Sequence, residues 1–227
     1  SMMDAFWADG WRHFGERFFR DMFSVVGNRL RLVVPLRIDV TACGLSDSQR
    51  RTIRKNHDVQ VVIGDAYIDE EKRSLFERHR QRFRENIPDS LRDFLSPVPS
   101  LLPCIAHECC VYEAGRLAAV SFFDVGLHSC SSVYAMFDPD AARRSLGVFT
   151  LLHEIRYTQE TGRRYLYLGY GHREQSHYDY KKQFAATEFY NWQGEWLPLE
   201  HLPAWDIPPH FLESIDVSLL RALPGDG

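Results

Sequence analysis

Three consecutive β-patterned runs, CIAHECCVYEA at 104–114, GRLAAVSFFDVG at 115–126 and CSSVYAMFDP at 130–139, lead into the amphipathic segment RRSLGVFTLLHEIRYTQETG at 143–162. One more strand pattern, RYLYLGY at 164–170, follows. No other feature limits the fold as much. Strands joined by tight turns pair antiparallel, whereas two neighbouring strands joined through a helix must run parallel. The predicted core is therefore an α/β unit: a meander, a helix and a parallel strand. The helix is expected to turn Leu146, Phe149, Leu152, His153 and Ile155 inward and to stop at Gly162.

Upstream, GWRHFGERFFRDMF, SVVGN and RLRLVVPLRIDV read as a hairpin about a Gly-Asn turn, with Pro35 marking an edge strand or a bulge. SDSQRRTIRKN reads as a short helix capped by Ser46 or Ser48 and carrying Arg50, Arg51, Arg54 and Lys55. VQVVI at 59–63 is expected to be a buried strand. The segment 69–87 is expected to be a helix with Leu75, Phe76, His79, Phe83 and Ile87 on its apolar stripe. The Pro-rich SLRDFLSPVPSLLP places a domain boundary near residue 97. The expected organisation is an α+β domain over 1–97, the core over 98–200 and an extension over 201–227. Within the core, HYDYKKQF reads as a short helix, and TEFYNW with EWLPL as a closing hairpin.

With 44% hydrophobic and 26% charged residues, the chain has the balance of a folded globular protein. The longest apolar runs fall far short of the ~20 residues of a membrane helix. The first ten residues lack the basic and apolar regions of a secretory signal, and a cytoplasmic location without membrane partners is expected. Five cysteines, an odd number without C-x-x-C spacing, read as reduced thiols. His107-Glu108-Cys109-Cys110 lacks a second ligand pair and reads as a strand, so neither a metal nor a cofactor is expected. Charge is uneven: residues 1–100 hold 17 Lys+Arg against 15 Asp+Glu, and the remainder 10 against 16. A polyanion would favour the first part.

The meander, helix and parallel strand follow the core order of GCN5-related N-acyltransferases, where splayed strands expose backbone groups to an acyl donor. A longer pattern is more specific. Phe137-Asp138-Pro139-Asp140, Ser145-Leu146-Gly147, Glu154-Ile155, Tyr165 to Tyr170, Tyr180-Lys181 and Trp196 occur in the order found in arginyl- and leucyl-tRNA-protein transferases. The chain resembles that family over about residues 10 to 200. The resemblance implies transfer of an aminoacyl group, arginine or leucine, from charged tRNA to a protein N-terminus, as in N-degron marking. Two departures stand out. MFSVVGNRLRLVVP has no cysteine where family members carry a cysteine-rich stretch. The loop after Leu168-Gly169-Tyr170 replaces the family's cysteine, lysine and methionine by Gln175, His177 and Tyr178.

Such a transfer needs a neutral amine, oxyanion stabilisation and a proton for the departing ribose oxygen. Tyr180 and Lys181 are the candidate proton donor and electrostatic stabiliser; without the resemblance they read as a packed Tyr and a surface Lys. Asp138 and Glu154 are candidates for gripping a cationic group of the donor, or else a turn residue and a helix-surface acid. Tyr170, Gln175 and His177 are expected to line the substrate pocket. Arg50, Arg51, Arg54 and Lys55 are candidates for the tRNA acceptor stem. Arg143, Arg144 and Ser145, at a helix start, are candidates for a phosphate. The basic residues at 72–84 are interleaved with acids and read as a solvated helix face. An acyl-CoA enzyme of the same fold and a non-catalytic tRNA- or degron-binding relative are the alternatives; bulky Phe149, where acyl-CoA enzymes carry a small residue, disfavours the former.

Overall fold

The computed structural model describes residues 1–26, 29–83, 87–173 and 177–202. The meander is present as β6 (Ala106–Glu113), β7 (Arg116–Val125) and β8 (Ser129–Phe137), followed by α4 (Leu146–Glu160) and β9 (Tyr165–His172). β9 runs parallel to β8, as the helical crossover requires. This is the order of strands and helix expected for a GCN5-related acyltransferase-like core.

Residues before 97 complete the same sheet. β4 (Arg29–Asp39) pairs with β9 on one side and with β10 (Thr187–Tyr190) on the other, and β10 pairs with β11 (Trp196–Pro198). β5 (Gln60–Asp65) pairs with β6 at the opposite end. The strand order is β11-β10-β4-β9-β8-β7-β6-β5, with β3 (Phe23–Val26) added to β4. The expected division near residue 97 is therefore corrected: the Pro-rich connector links parts of one sheet.

The completed sheet refines two further expectations. Pro35 lies in an interior strand rather than at an edge, next to the β-bulge between Leu36 and Arg37 that its other reading expected; on the side facing β3 and β10 it falls between their pairings, Leu32↔Phe23 and Leu36↔Phe189. Its missing N–H thus interrupts no ladder there. β5 is an edge strand, and Val62 is exposed, because only one neighbour covers it. Near Arg12 a small hairpin precedes β3, formed by β1 (Arg12–Phe14) and β2 (Arg17–Phe19). The stretch over 69–87 holds α3 (Glu70–Arg80), which ends before Phe83.

Strand alternation assigns the two faces of the sheet. Cys109, Phe123, Leu166 and Leu168 pack with Leu151, Leu152 and Ile155 of α4. Cys110, Val120 and Phe122 pack with Leu75 and Phe76 of α3 on the other face. Cys109 and Cys110 thus point in opposite directions, consistent with the strand reading of the His107 to Cys110 stretch. The N-terminal helix α1 (Met2–Ala8) is fixed by Asp4, whose carboxylate accepts from the Leu127 and His128 amides at 3.0 and 3.1 Å. Among the described residues, no helix is long and apolar enough to cross a membrane.

Candidate active site

β8 and β9 are paired only from Ser129 to Ser131 against Tyr165 to Tyr167. Beyond that point β8 stays with β7 as far as Phe137, whereas β9 follows β4 as far as His172. An opening between Ser132 and Leu168 results, and charged side chains reach it from both faces of the sheet.

Arg12 of β1 enters on the face away from α4. Its Nη1 donates to Ser131 Oγ and its Nη2 to the Ser132 carbonyl, at the place where β9 no longer supplies a partner. The guanidinium lies against Gly169, whose φ is +77° and whose Cβ, if present, would stand 2.9 Å from Nη2. Both the backbone angle and the contact require glycine here. Burial lowers the pKa of Arg12, while Asp124, Tyr170 and Glu154 oppose that shift. Gly169→Ala is expected to displace Arg12 and destabilise the fold by about 1–3 kcal/mol, measured by denaturant unfolding.

Glu154 approaches from α4 and is only 1% exposed. Burial pushes its carboxyl up to about 7, with Ser121, Ser132, Lys181 and Arg12 pulling the other way. Ser121 and Ser132 are the hydroxyls nearest its carboxylate. The helix-surface reading of Glu154 is therefore corrected: α4 turns this acid into the opening together with its apolar residues. A carboxyl that titrates near neutrality is suited to receive a proton from an amine.

Lys181 lies on the 3-10 helix His177–Gln183, and its Nζ donates to the Tyr170 carbonyl at 3.1 Å. That bond holds its ammonium beside β9. The Tyr170 hydroxyl donates to the Gly10 carbonyl at 3.1 Å and accepts from the Asp21 amide at 3.2 Å, which locks the ring onto the N-terminal segment. Tyr180 is 37% exposed, on the outer side of the short helix. Gln175 and the His177 side chain lie outside the described residues. The Asp138 carboxylate is engaged by the Asp140 amide at 3.1 Å and by Arg78 Nε at 3.2 Å, the arrangement of a turn residue.

The two basic stretches come together. α2 (Asp47–Lys55) begins with a reciprocal capping box between Ser46 and Gln49 and exposes Arg50, Arg51, Arg54 and Lys55. Lys55 Nζ donates to the Arg143 carbonyl at 2.8 Å, and Asn56 Nδ2 to the Arg144 carbonyl at 2.9 Å, so α2 rests on the segment leading into α4. Arg143 is exposed beside it. Arg144 is differently placed, with both terminal nitrogens 2.9 Å from the Asp58 carboxylate and a further contact to Glu113. Those acids push its pKa further up and occupy its hydrogen-bonding edge. Ser145 adopts the left-handed conformation and makes no side-chain cap. From Ser145 to Glu154 the helix rises about 13 Å.

Arg12, Ser121 and Ser132 have no counterpart among the sequence-derived candidates. Their role depends on where β8 leaves β9; the glycine in Leu168-Gly169-Tyr170 is the one local trace of it.

The chain is similar to proteins of known name. An aspartate/glutamate leucyltransferase of Xanthomonas euvesicatoria pv. vesicatoria (strain 85-10) is 35% identical over 181 residues, covering 72% of this chain and 70% of that protein. One from Acinetobacter baumannii (strain ATCC 17978) is 27% identical over 208 residues, covering 86% and 72%. The crystal structure of FemX shares the fold alone, with a TM-score of 0.50, 7% identity, and coverage of 80% of this chain and 64% of that one. Residues 65–191 match the family described as "Arginine-tRNA-protein transferase, C terminus". The chain belongs to the arginine-tRNA-protein transferase family.

Proposed function

We infer that this protein transfers an amino acid from charged tRNA to the N-terminal amine of a protein. The observation that carries the mechanism is the convergence of Glu154, Arg12 and Lys181 where β8 and β9 separate. The amine attacks the ester carbonyl of the aminoacyl group, the new bond is an amide, and the bond to the ribose oxygen breaks. The ionised Glu154 carboxylate takes the proton lost by the amine and returns it to the departing ribose oxygen. Lys181 stabilises the oxyanion formed in between. Arg12 fixes the Ser132 carbonyl and supplies positive charge from the opposite face. No covalent enzyme intermediate is needed.

The names of the relatives favour leucine as donor and an N-terminal aspartate or glutamate as acceptor. The tRNA is assigned to the exposed face of α2 with Arg143, from which the aminoacyl end would follow α4 toward Glu154. One observation disfavours an acyl-CoA donor: Asp58 and Glu113 engage Arg144 at the helix start where a CoA phosphate would sit. Free thiols at all five cysteines suit a reducing cytoplasm.

Incubation with a pool of labelled aminoacyl-tRNAs and peptides beginning with Asp, Glu or other residues tests this function. Leucine transfer to the acidic N-termini is expected; acylation from acyl-CoA but not from tRNA would overturn it. For the tRNA face, Arg50→Ala combined with Arg51→Ala should weaken tRNA binding and flatten its salt dependence by about one unit of slope per lost phosphate contact. Affinity measured from 50 to about 200 mM salt checks this. An unchanged slope would move the tRNA elsewhere.

A further inference from the structure

His13, Cys104 and Asp124 come from β1, the Pro-rich connector and β7, yet one ligand atom from each lies within 4.8 Å of the others. His13 and Asp124 are almost fully buried, and Cys104 is half-buried. The His13 ring is oriented by its Nδ1, which stands 2.9 Å from the Gly15 carbonyl oxygen. A carbonyl only accepts, so Nδ1 carries a hydrogen and Nε2 faces inward. Nε2 lies 2.7 Å from Asp124 Oδ2. Two lone-pair atoms at that separation require either a proton shared between them or a metal ion. The Cys104 thiol adds a third donor against the same carboxylate, and burial beside Asp124 keeps it protonated when no metal is bound. A histidine whose second nitrogen donates to a backbone carbonyl is the usual arrangement at metal centres.

We propose that His13, Cys104 and Asp124 bind one Zn2+ ion. Imidazole, thiolate and carboxylate together form a donor set suited to zinc, and a thiolate with a carboxylate balances the 2+ charge in a buried place. Tetrahedral zinc separates its ligand atoms by about 3.3–3.7 Å, so Nε2 and Oδ2 move apart by about 0.6–1.0 Å on binding. A small cleft lined by His13, Ser96, Leu102 and Asp124 adjoins the site, on the side from which a water would complete the tetrahedron. The ion would tie β1 to the sheet next to Arg12, with a structural rather than a chemical part. Binding releases the thiol proton and forms the zinc–sulfur bond without any redox change.

The test uses the tag-free full chain after chelation, with Co2+ and Zn2+ as probes. One equivalent of Co2+ is expected to give a thiolate charge-transfer band in the near ultraviolet, displaced by Zn2+ and lost in Cys104→Ser. On the unmodified sequence, one equivalent of Zn2+ should slow alkylation of Cys104 at least tenfold, with partly exposed Cys43 as an internal control that does not change. Peptide mapping by mass spectrometry reads both sites, so the result holds even if the variant folds poorly. Absence of the cobalt–thiolate band in the folded protein, or alkylation of Cys104 at the same rate with and without Zn2+, would overturn the proposal.

Discussion

Glu154→Gln is expected to lower single-turnover transfer by about 10²–10³ above pH 7, because the amide keeps the shape of the carboxyl but cannot accept the amine proton. The pH profile carries the more specific expectation. With the Glu154 pKa raised to about 7, the rate of the unmodified enzyme should rise as pH increases through 7. A second rise, near the ordinary pKa of an α-amine at about 8, belongs to the acceptor. The glutamine variant should retain the second rise and lose the first. A profile unchanged by the substitution would remove Glu154 from proton transfer.

The same shift has a consequence for folding. A carboxyl raised from 4.5 in the unfolded chain to about 7 in the fold is protonated in both states below 4.5, where it makes no difference. As pH rises from 4.5 to about 7, the unfolded state loses its proton first, and stability falls until the folded protein carries the full cost of a buried charge. That cost is at most about 3 kcal/mol. Glu154→Gln lacks this titration, so it should gain stability relative to the unmodified protein across that window. Urea unfolding at pH 4.5 and 7.5 measures the difference.

Lys181→Ala is expected to lower turnover by about 10²–10³ while leaving tRNA affinity nearly intact, since an ammonium beside the opening acts mainly on charge that develops in the transition state. Arginine restores the charge on a larger planar group, and its reach to the Tyr170 carbonyl differs, so Lys181→Arg should rescue only in part. A lysine that merely held phosphate would show the opposite split, with weaker tRNA binding and full turnover at saturation. Single-turnover rate and tRNA affinity on one preparation separate the two. Full-rate transfer by the alanine variant would leave Tyr180 as the next side chain to substitute.

Much of this molecule is legible in local pattern. The period-2 runs at 104–139, the amphipathic stretch to Gly162 and the strand after it are found within a few residues of their expected bounds, and the parallel pairing of β8 with β9 follows from the crossover. The cap of α2, read as Ser46 or Ser48 and found at Ser46, and the basic residues behind it, are equally local, since a cap and the helix face it starts are set by neighbours three and four residues apart. The ordered motifs from Phe137 to Trp196 resemble a family of aminoacyl-tRNA transferases, which the chain's relatives share.

What the sequence by itself could not determine was decided by pairings between distant segments. A Pro-rich connector reads as a boundary, but β4 and β5 occupy places in the same sheet as the strands that follow it. Glu154 reads either as a group that grips the donor or as a helix-surface acid, because its neighbours in sequence do not reveal that β8 and β9 part beneath it. Arg12 joins it because that parting leaves the Ser132 carbonyl without a strand partner and Gly169 without a side chain in the way. Hydrophobic period and capping depend on residues a turn apart. The charge state of a buried carboxyl and the partner of an unpaired carbonyl depend on which segments the completed sheet brings together, and only the tertiary structure specifies that.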